Sequence, residues 1–384
     1  GNNWEGLQLN LPIVPISDMK IKNDELIIAT NGRGFWILNN INILRQIHKV
    51  KSKLKNTLYK PSDTYRIFSG NTPSKDLIGE RNYGFGLGKD GIFIDQETAN
   101  NKLNRKILDG GTNPIDGVII HYYLTQQNFS SLTLSIYDDQ DQEISSFKTA
   151  PKKNKLNPND KFITSNLGLN KFIWSMRYPD AEQINYKNAI DHGLQGPLAP
   201  PGKYTIKLFN DKKLIEAQEF NILKDPRIES SNQDLIDQFK FLIEVRNKIS
   251  ETSNIINKSI DLRNQITYSL NKLNKNKESH NKAIQNIDKF LNKLSEIEKN
   301  LIDYNTIQGN DRLSSPASLY IKIRELTFVP SLSDHKPTDQ SINVFNYLSN
   351  ELDKNFKSFE KLINKELKNL IKDLNDIGQT IIQI

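Results

Sequence analysis

The sequence predicts a multidomain fold of β and α structure: a terminal β-meander, an immunoglobulin-like β-sandwich and a C-terminal antiparallel helical bundle. Its 384 residues exceed what one ordinary hydrophobic core accommodates. Short segments of alternating apolar residues precede residue 225, and the apolar spacing then becomes helical. The hydrophobic fraction of 36% is low, but the apolar residues lie in periodic clusters, which indicates folded domains instead of disorder.

Residues 1–47 contain three short strand patterns separated by Asn, Asp and Gly turns. This spacing predicts a β-meander. The patterns are DMKIK (18–22), ELIIAT (25–30) and GFWILN (34–39).

Residues 48–114 are predicted to form an irregular linker. The segment is rich in glycine and follows no clear period, which is typical of a long connection that covers another surface. Its GFGLGKDG stretch faintly resembles a phosphate-binding loop but lacks the GK[ST] ending, so it is interpreted as a surface loop.

Residues 115–224 predict the sandwich. Six apolar segments of six to nine residues, rich in β-branched and aromatic types, are separated by turn sequences such as DDQDQ and FNDKK. Short antiparallel strands at this spacing indicate an immunoglobulin-like fold. The segments are 117–124, 131–138, 143–149, 170–176, 202–209 and 215–223.

Residues 225–384 predict the helical bundle. Ser231 and Asp234 form a capping box at its start. Apolar residues then recur every three or four positions, which is the pattern of amphipathic helices that bury one face. One predicted stripe contains Ile256, Ile260, Arg263, Ile266, Leu270 and Leu273, another contains Ile287, Phe290, Leu294, Ile297 and Leu301, and the last contains Phe345, Leu348, Leu352, Phe356, Phe359, Ile363, Leu367 and Leu370.

Composition excludes several classes of function. The chain has no cysteine, so it has no disulfide, thiolate nucleophile or cysteine metal site. No apolar run approaches the roughly 18 residues of a membrane span. The net charge of +7 arises from interleaved acids and bases, as in KFLNKLSEIEKN (289–300), whereas a nucleic-acid surface needs clustered basic residues.

Motifs that carry chemistry are scarce. The five histidines are scattered, HExxH and GxSxG are absent, and neither a cofactor nor a catalytic residue is predicted in this chain. Asp138, Asp139 and Asp141 could ligate calcium through hard oxygens, or they could simply form a hairpin tip. No metal site is assigned, and calcium at these residues stays open.

The first 47 residues also carry a family resemblance. The stretch NNWEGLQLNLPIVPISDMKIKNDELIIATNGRGFWILNNINILRQI resembles the final blade of bacterial BNR/Asp-box, sortilin-like β-propeller proteins. In that family a Trp, an NLP turn and a T-(H/N)-G-R-G-F-W-I-L-D-(D/N)-I hairpin end the propeller. Asn39 departs from the pattern, because the family favours Asp there. The matching residues are Trp4, Asn10, Leu11, Pro12, Thr30, Gly32, Arg33, Gly34, Phe35, Trp36, Ile37 and Leu38.

Later segments continue the resemblance over most of the chain. They include GGTNPIDGVIIHYYL, GLNKFIWSMRYPDA, GPLAPPGKYTIKL and LSSPASLYIKI. The resemblance implies that this chain is the C-terminal part of a longer, exported protein, at the cell surface, in the periplasm or outside the cell. Its partners would include the upstream propeller blades of the same protein, which carry the Asp-box repeats.

Three functions follow from that resemblance and from the bundle. The first is a non-catalytic C-terminal module that caps the propeller and supports glycan or protein binding. The alternative is part of a secreted, sialidase-like glycoside hydrolase whose catalytic residues lie upstream. The third is a partner-docking bundle, which an exposed apolar stripe of Phe345, Phe356 and Phe359 would favour.

Four residues are candidate ligand-binding positions, each with a structural alternative. Arg33 could contact a ligand at the edge of the propeller ring, or it could tie down its own turn. Tyr83, Phe85 and Tyr186 could stack against sugar rings, or they could anchor long loops to a domain surface.

Overall fold

The computed structural model has mixed β and α structure, with several sheets and a helical C-terminal region. Two compact units are formed: Gly1–Met176 with Gly202–Asp225, here the β unit, and Arg177–Pro201 with Pro226–Ile384, here the helical unit. The structure describes residues 4, 6–22, 24–50, 55–67, 81–84, 91–97, 103–108, 117–126, 129, 131–150, 161–186, 194–273, 280–304 and 316–378.

The β unit begins with the predicted meander, whose three strands are confirmed. They are antiparallel neighbours in a three-stranded sheet: β1 (Ile16–Lys22), β2 (Glu25–Thr30) and β3 (Phe35–Leu38). Gly32 and Gly34 have φ angles of 95° and 66°, which glycine adopts without steric cost, so the β2–β3 turn is tight. No residue of these three strands is buried.

The segment predicted as an irregular linker contains regular structure instead. Helix α1 (Asn42–Val50) precedes it and overlaps its start, and five strands follow. Two of them join sheets formed with strands from after residue 115, and three form an antiparallel sheet of their own, so the segment is more than a connection. The strands are β4 (Thr57–Leu58), β5 (Thr64–Arg66), β6 (Arg81–Gly84), β7 (Gly91–Glu97) and β8 (Leu103–Ile107).

All six strands predicted over residues 115–224 are present. Together with β4 and β5 they form two sheets, with the orders β11-β10-β13-β14-β5 and β12-β9-β4. Among these eight described strands, only the β14–β5 pair is parallel. Their bounds are β9 (Val118–Leu124), β10 (Leu132–Tyr137), β11 (Glu143–Lys148), β12 (Gly168–Trp174), β13 (Gly202–Asn210) and β14 (Lys213–Lys224).

The core of the β unit is formed by alternate residues of these two sheets. Trp174 of β12 contacts Tyr204 and Phe220 of the other sheet, with ring centroids 5.8 and 6.3 Å apart. Gly117 has a φ of 130°, and a Cβ there would lie 2.4 Å from the Trp174 carbonyl oxygen. Glycine is therefore required where β9 begins beside the end of β12.

The helical unit consists of long helices joined by shorter ones. The capping box is confirmed: the Asp234 backbone N–H donates to Ser231 Oγ at 3.1 Å, and the Ser231 backbone N–H donates to Asp234 Oδ2 at 2.8 Å. The helices are α2 (Asn232–Leu273), α3 (Asn281–Leu301), α4 (Leu319–Glu325), α5 (Phe328–Ser331), α6 (Asp339–Lys361) and α7 (Lys368–Asn375).

A π-helical turn, Leu362–Leu367, joins α6 to α7. The predicted stripe continued from Phe359 through Ile363, but Leu362 is the buried residue and Ile363 is only partly buried. The π turn spaces the next buried residue five positions away, at Leu367, and so keeps the last helix facing the core.

The segment Arg177–Pro201 packs with the helices, although the predicted boundary assigned it to the sandwich. Ala181, Ile184 and Leu194 belong to the same buried cluster as Val245 and Ile249 of α2. These contacts link residues more than 50 positions apart, so local sequence patterns do not reveal them.

Candidate functional site

The predicted ligand-binding residues do not form one site. Arg33 is exposed in the β2–β3 turn, where its carbonyl oxygen accepts a hydrogen bond from Trp36 Nε1 at 3.1 Å. Tyr83 lies in β6, where the structure describes the backbone alone, and Phe85 lies outside the described residues. Tyr186 lies in the helical unit and lines a cleft there.

This cleft is the candidate site. It has a volume of about 840 Å³ and is open to solvent. Helix α2 contributes Ile260, Arg263 and Asn264, and the end of α3 contributes Glu298 and Lys299. The residues that follow α3 and the start of α4 complete the walls with Tyr304, Ser318 and Lys322.

Tyr186 is held in the cleft by the backbone that precedes it. Asn257 of α2 accepts a hydrogen bond from the Asn185 backbone N–H at 2.7 Å and donates one to the Gln183 carbonyl oxygen at 2.9 Å. The ring of Tyr186 packs on that of Tyr304, with centroids 4.7 Å apart and planes at 40°. The two rings form an aromatic wall of the cleft.

A buried carboxylate lies in the same cleft. The Glu298 side chain is 7% exposed and forms an ion pair with Arg263, which is 32% exposed. Ser259 donates a hydrogen bond to Glu298, and Arg263 Nη2 donates another to Ser295 Oγ at 3.0 Å. A buried carboxylate needs such partners, because desolvation of an unpaired charge is costly.

Two residues that line the cleft have buried hydroxyl groups. Within the described part of the chain, neither Tyr304 Oη nor Ser318 Oγ has a hydrogen-bond partner, although both atoms are buried. The pKa of Tyr304 is raised far above its ordinary value. Burial is the main cause, and the nearby Glu298 carboxylate is the second. The phenol therefore stays protonated at physiological pH and is a hydrogen-bond donor, not a base.

The rim of the cleft carries positive charge. Lys299 and Lys322 are exposed, and neither forms an ion pair with any residue that has a described position. Together with the aromatic wall, these ammonium groups provide chemistry for binding a polar ligand.

The aspartates considered for calcium are engaged in a turn. Asp138 Oδ1 accepts the backbone N–H groups of Gln140 and Gln142 at 3.0 and 2.9 Å, and Asp141 pairs with Lys207 at 2.6 Å. Among the residues with described positions, no three His, Cys, Asp or Glu side chains are grouped so that they could hold a metal ion.

The feature that would favour a docking bundle is not observed. Phe356 and Phe359 are each 5% exposed, and Phe345 is partly buried against Phe241, with ring centroids 5.6 Å apart. None of the helices in the described part of the chain is both long and apolar enough to cross a lipid bilayer.

Sequence reasoning identified Tyr186 but missed the ion pair beside it. Arg263 was placed in an apolar stripe of α2, and a guanidinium in such a stripe requires an acceptor on the facing helix. Glu298 lies between the buried Leu294 and Leu301, at the spacing of core positions. These two charged residues at core positions were the signal that could have predicted the pair.

Comparison with known proteins adds no relative. No protein-family model matches the chain, and no curated protein is significantly similar to it.

Proposed function

We propose that this chain is a non-catalytic C-terminal module of an exported β-propeller protein, in which the β1–β3 sheet packs as the last blade and the helical unit supports ligand binding. The observation that carries the proposal is the first sheet: β2 and β3 are largely apolar and β1 adds three apolar residues, yet no residue of the three strands is buried. A sheet of this kind is suited to packing against further β structure.

Both faces of the β1–β3 sheet carry apolar residues. On one face the strand register aligns Met19, Ile28 and Trp36 in one row and Ile21, Leu26 and Leu38 in the next. The opposite face is apolar in β2 and β3, where Phe35 is 79% exposed and Ile37 55% exposed, and charged in β1, where it carries Asp18, Lys20 and Lys22. A blade inside a propeller ring has a neighbour on each side and needs two apolar faces, whereas a sheet beside solvent needs one.

The β1–β3 sheet is tied to the rest of the β unit by polar contacts that follow β3. Ser62 Oγ donates to Asn40 Oδ1 at 3.0 Å. The Gln46 side chain makes two hydrogen bonds with the Lys60 backbone. Gln46 Nε2 donates to the Lys60 carbonyl oxygen at 2.8 Å, and the Lys60 N–H donates to Gln46 Oε1 at 2.9 Å. These contacts support a role in which the module positions the sheet for packing.

The sheets β11-β10-β13-β14-β5 and β12-β9-β4 are proposed to form an immunoglobulin-like sandwich. Their six long strands are antiparallel, and the Trp174, Tyr204 and Phe220 contacts join their inner faces. The added parallel strand β5 departs from the simplest form of that fold.

The ligand-binding part of the proposal rests on the cleft around Tyr186. Its aromatic wall, its paired carboxylate and the exposed ammonium groups of Lys299 and Lys322 suit a polar ligand such as a glycan. The alternative function, a secreted glycoside hydrolase, would place the catalytic residues in the upstream blades. The intact mass of the native protein therefore bears on both functions.

The test begins with the intact mass of the native protein from its source cells. We expect a mass well above the 44.1 kDa of this chain, with additional β-blade sequence upstream. In that longer protein, Phe35→Lys combined with Ile37→Lys should lower the melting temperature by several degrees, because each change places a charge in a packed interface. In the 384-residue chain the same pair should have little effect, because both residues are exposed.

Leu169→Lys is the matched control. Leu169 is 48% exposed in β12, outside the first sheet, so this change should leave both proteins unaffected. A native mass of 44 kDa, or an equal effect of the Phe35 and Ile37 changes in both proteins, would overturn the proposal. Hydrolysis of glycosides by the longer protein would favour the alternative.

A further inference from the structure

We propose that the cleft around Tyr186 binds an anionic sugar, that is, a polyhydroxylated ring that carries a carboxylate or phosphate group. This inference names the ligand class for the binding part of the proposed function and rests on that part. It does not depend on how the β1–β3 sheet packs.

The size and wall of the cleft suit a sugar ring. Its volume of about 840 Å³ lies within the usual range for small-ligand sites, about 300–1,000 Å³. Tyr186 and Tyr304 form an aromatic wall on which the apolar face of a ring can lie. The Asn257 contacts hold the Tyr186 backbone, so this wall is formed before a ligand binds.

The charges of the cleft favour an anion. Its lining contains three basic residues, Arg263, Lys299 and Lys322, and two acidic residues, Glu298 and Asp303. Glu298 and Arg263 neutralise each other, and the ammonium groups of Lys299 and Lys322 outnumber the one remaining carboxylate, Asp303, so the described lining has a net positive charge. An acidic group on the ligand would lie in a positive potential there.

The experiment titrates the purified 384-residue chain with three matched probes: glucose, glucuronate and glucose 6-phosphate. Calorimetry and ligand-observed NMR should show both anions binding at least about tenfold more tightly than glucose, a difference that added salt reduces. Tyr186→Ala should weaken binding of the anions at least about tenfold, and Tyr186→Phe should retain it, because the ring forms the wall. The double change Lys299→Gln and Lys322→Gln should abolish the preference for anions.

Matched controls lie on α2 and α3, two helices that contribute residues to the cleft. Tyr268→Ala removes an exposed tyrosine of α2, and Lys282→Gln with Lys289→Gln removes the same charge from α3 outside the cleft. These controls should leave binding unchanged, and circular dichroism confirms that each variant folds.

Each outcome has a separate meaning. Failure of all three probes to bind overturns this inference and the ligand-binding part of the proposed function, but leaves the propeller-capping part standing. Equal binding of glucose and the anions overturns this inference but leaves the ligand-binding part of the proposed function standing. Anion binding that survives Tyr186→Ala places the site elsewhere and overturns the inference. If only one anion binds, the result decides between a carboxylate and a phosphate.

Discussion

The β unit contains two kinds of sheet, and they differ in how their apolar residues are used. In β13, Tyr204, Ile206 and Leu208 are buried while the intervening residues face outward, as expected for a sheet with one face in a core. In β3, Phe35 and Ile37 are 79% and 55% exposed, and the alternate residues Trp36 and Leu38 are only half-buried.

This difference separates two roles for similar amino acids. Apolar residues of β13 stabilise the chain itself, because folding removes them from water. Apolar residues of β1–β3 gain little from folding of this chain, and they are the expected contribution to an interface. Stability measurements on the two sheets therefore test the proposed function without knowledge of a ligand.

The largest expected difference is between two tryptophans. Trp174→Ala should lower the free energy of unfolding of the β unit by about 3–5 kcal/mol, because it empties the space between two packed sheets. Trp36→Ala should cost about 1 kcal/mol, mainly the hydrogen bond to the Arg33 carbonyl oxygen. Hydrogen exchange of the β9 and β13 amides measures both values. Equal losses would show that the first sheet has a core of its own.

A second difference is expected between two glycines. Gly117→Ala combines a φ of 130° with a Cβ 2.4 Å from the Trp174 carbonyl oxygen, so it should destabilise the β unit by more than about 2 kcal/mol. Gly32→Ala has a φ of 95° and no atom within 4 Å, so backbone strain alone should cost about 1 kcal/mol. Thermal denaturation ranks the two variants. A smaller loss for Gly117→Ala than for Gly32→Ala would contradict the close approach of β9 and β12.

A smaller effect is expected from polar substitutions in β3. Phe35→Ser combined with Ile37→Ser should change the free energy of unfolding of this chain by no more than about 0.5 kcal/mol, because both side chains are exposed. Binding of the dye ANS, which reports exposed apolar surface, should fall. Ile206→Ser in β13 is the control, and it should destabilise the β unit strongly because Ile206 is fully buried.

The smallest effect concerns pH. The pKa of His121 in β9 lies below its ordinary value of 6.5. Burial is the main cause, and the charge of Lys171, which pairs with His121 in the strand register, is the second. The unfolded chain then binds the proton more readily, so the β unit should lose stability as pH falls below 6.5 towards the lowered pKa. Urea unfolding at pH 7.5 and pH 5 should show a smaller difference for His121→Gln than for the natural chain. An unchanged difference would assign the pH dependence to other groups.

Much of the fold could be predicted, because local signals specify it. Turn residues and alternating apolar positions identified β1–β3 and the six strands after residue 115. Strands β4 and β5 were missed since they have two and three residues and pair with β9 and β14, far away in the sequence. Such strands exist through long-range pairing, and no local period marks them.

The candidate site was predictable only in part. Tyr186 was identified as an exposed aromatic, but its neighbour Tyr304 comes from a segment more than 100 residues later. Arg263 and Glu298 stood at core positions of two predicted helices, and only the helix packing shows that they meet. The chemistry of the site thus depends on how the helices pack, which the sequence patterns alone do not determine.

The π-helical turn between α6 and α7 has a consequence for how the chain could change in length. Core residues there are spaced three, five, three and four positions apart, at Phe359, Leu362, Leu367, Leu370 and Leu374. Loss of one residue from the turn would convert the five-residue step to four, the spacing of an uninterrupted α-helix. In an ordinary helix, deletion of one residue rotates all later side chains about the helix axis. Here the same deletion would leave the same side chains facing the core. This turn is therefore a place where the bundle tolerates a change of length.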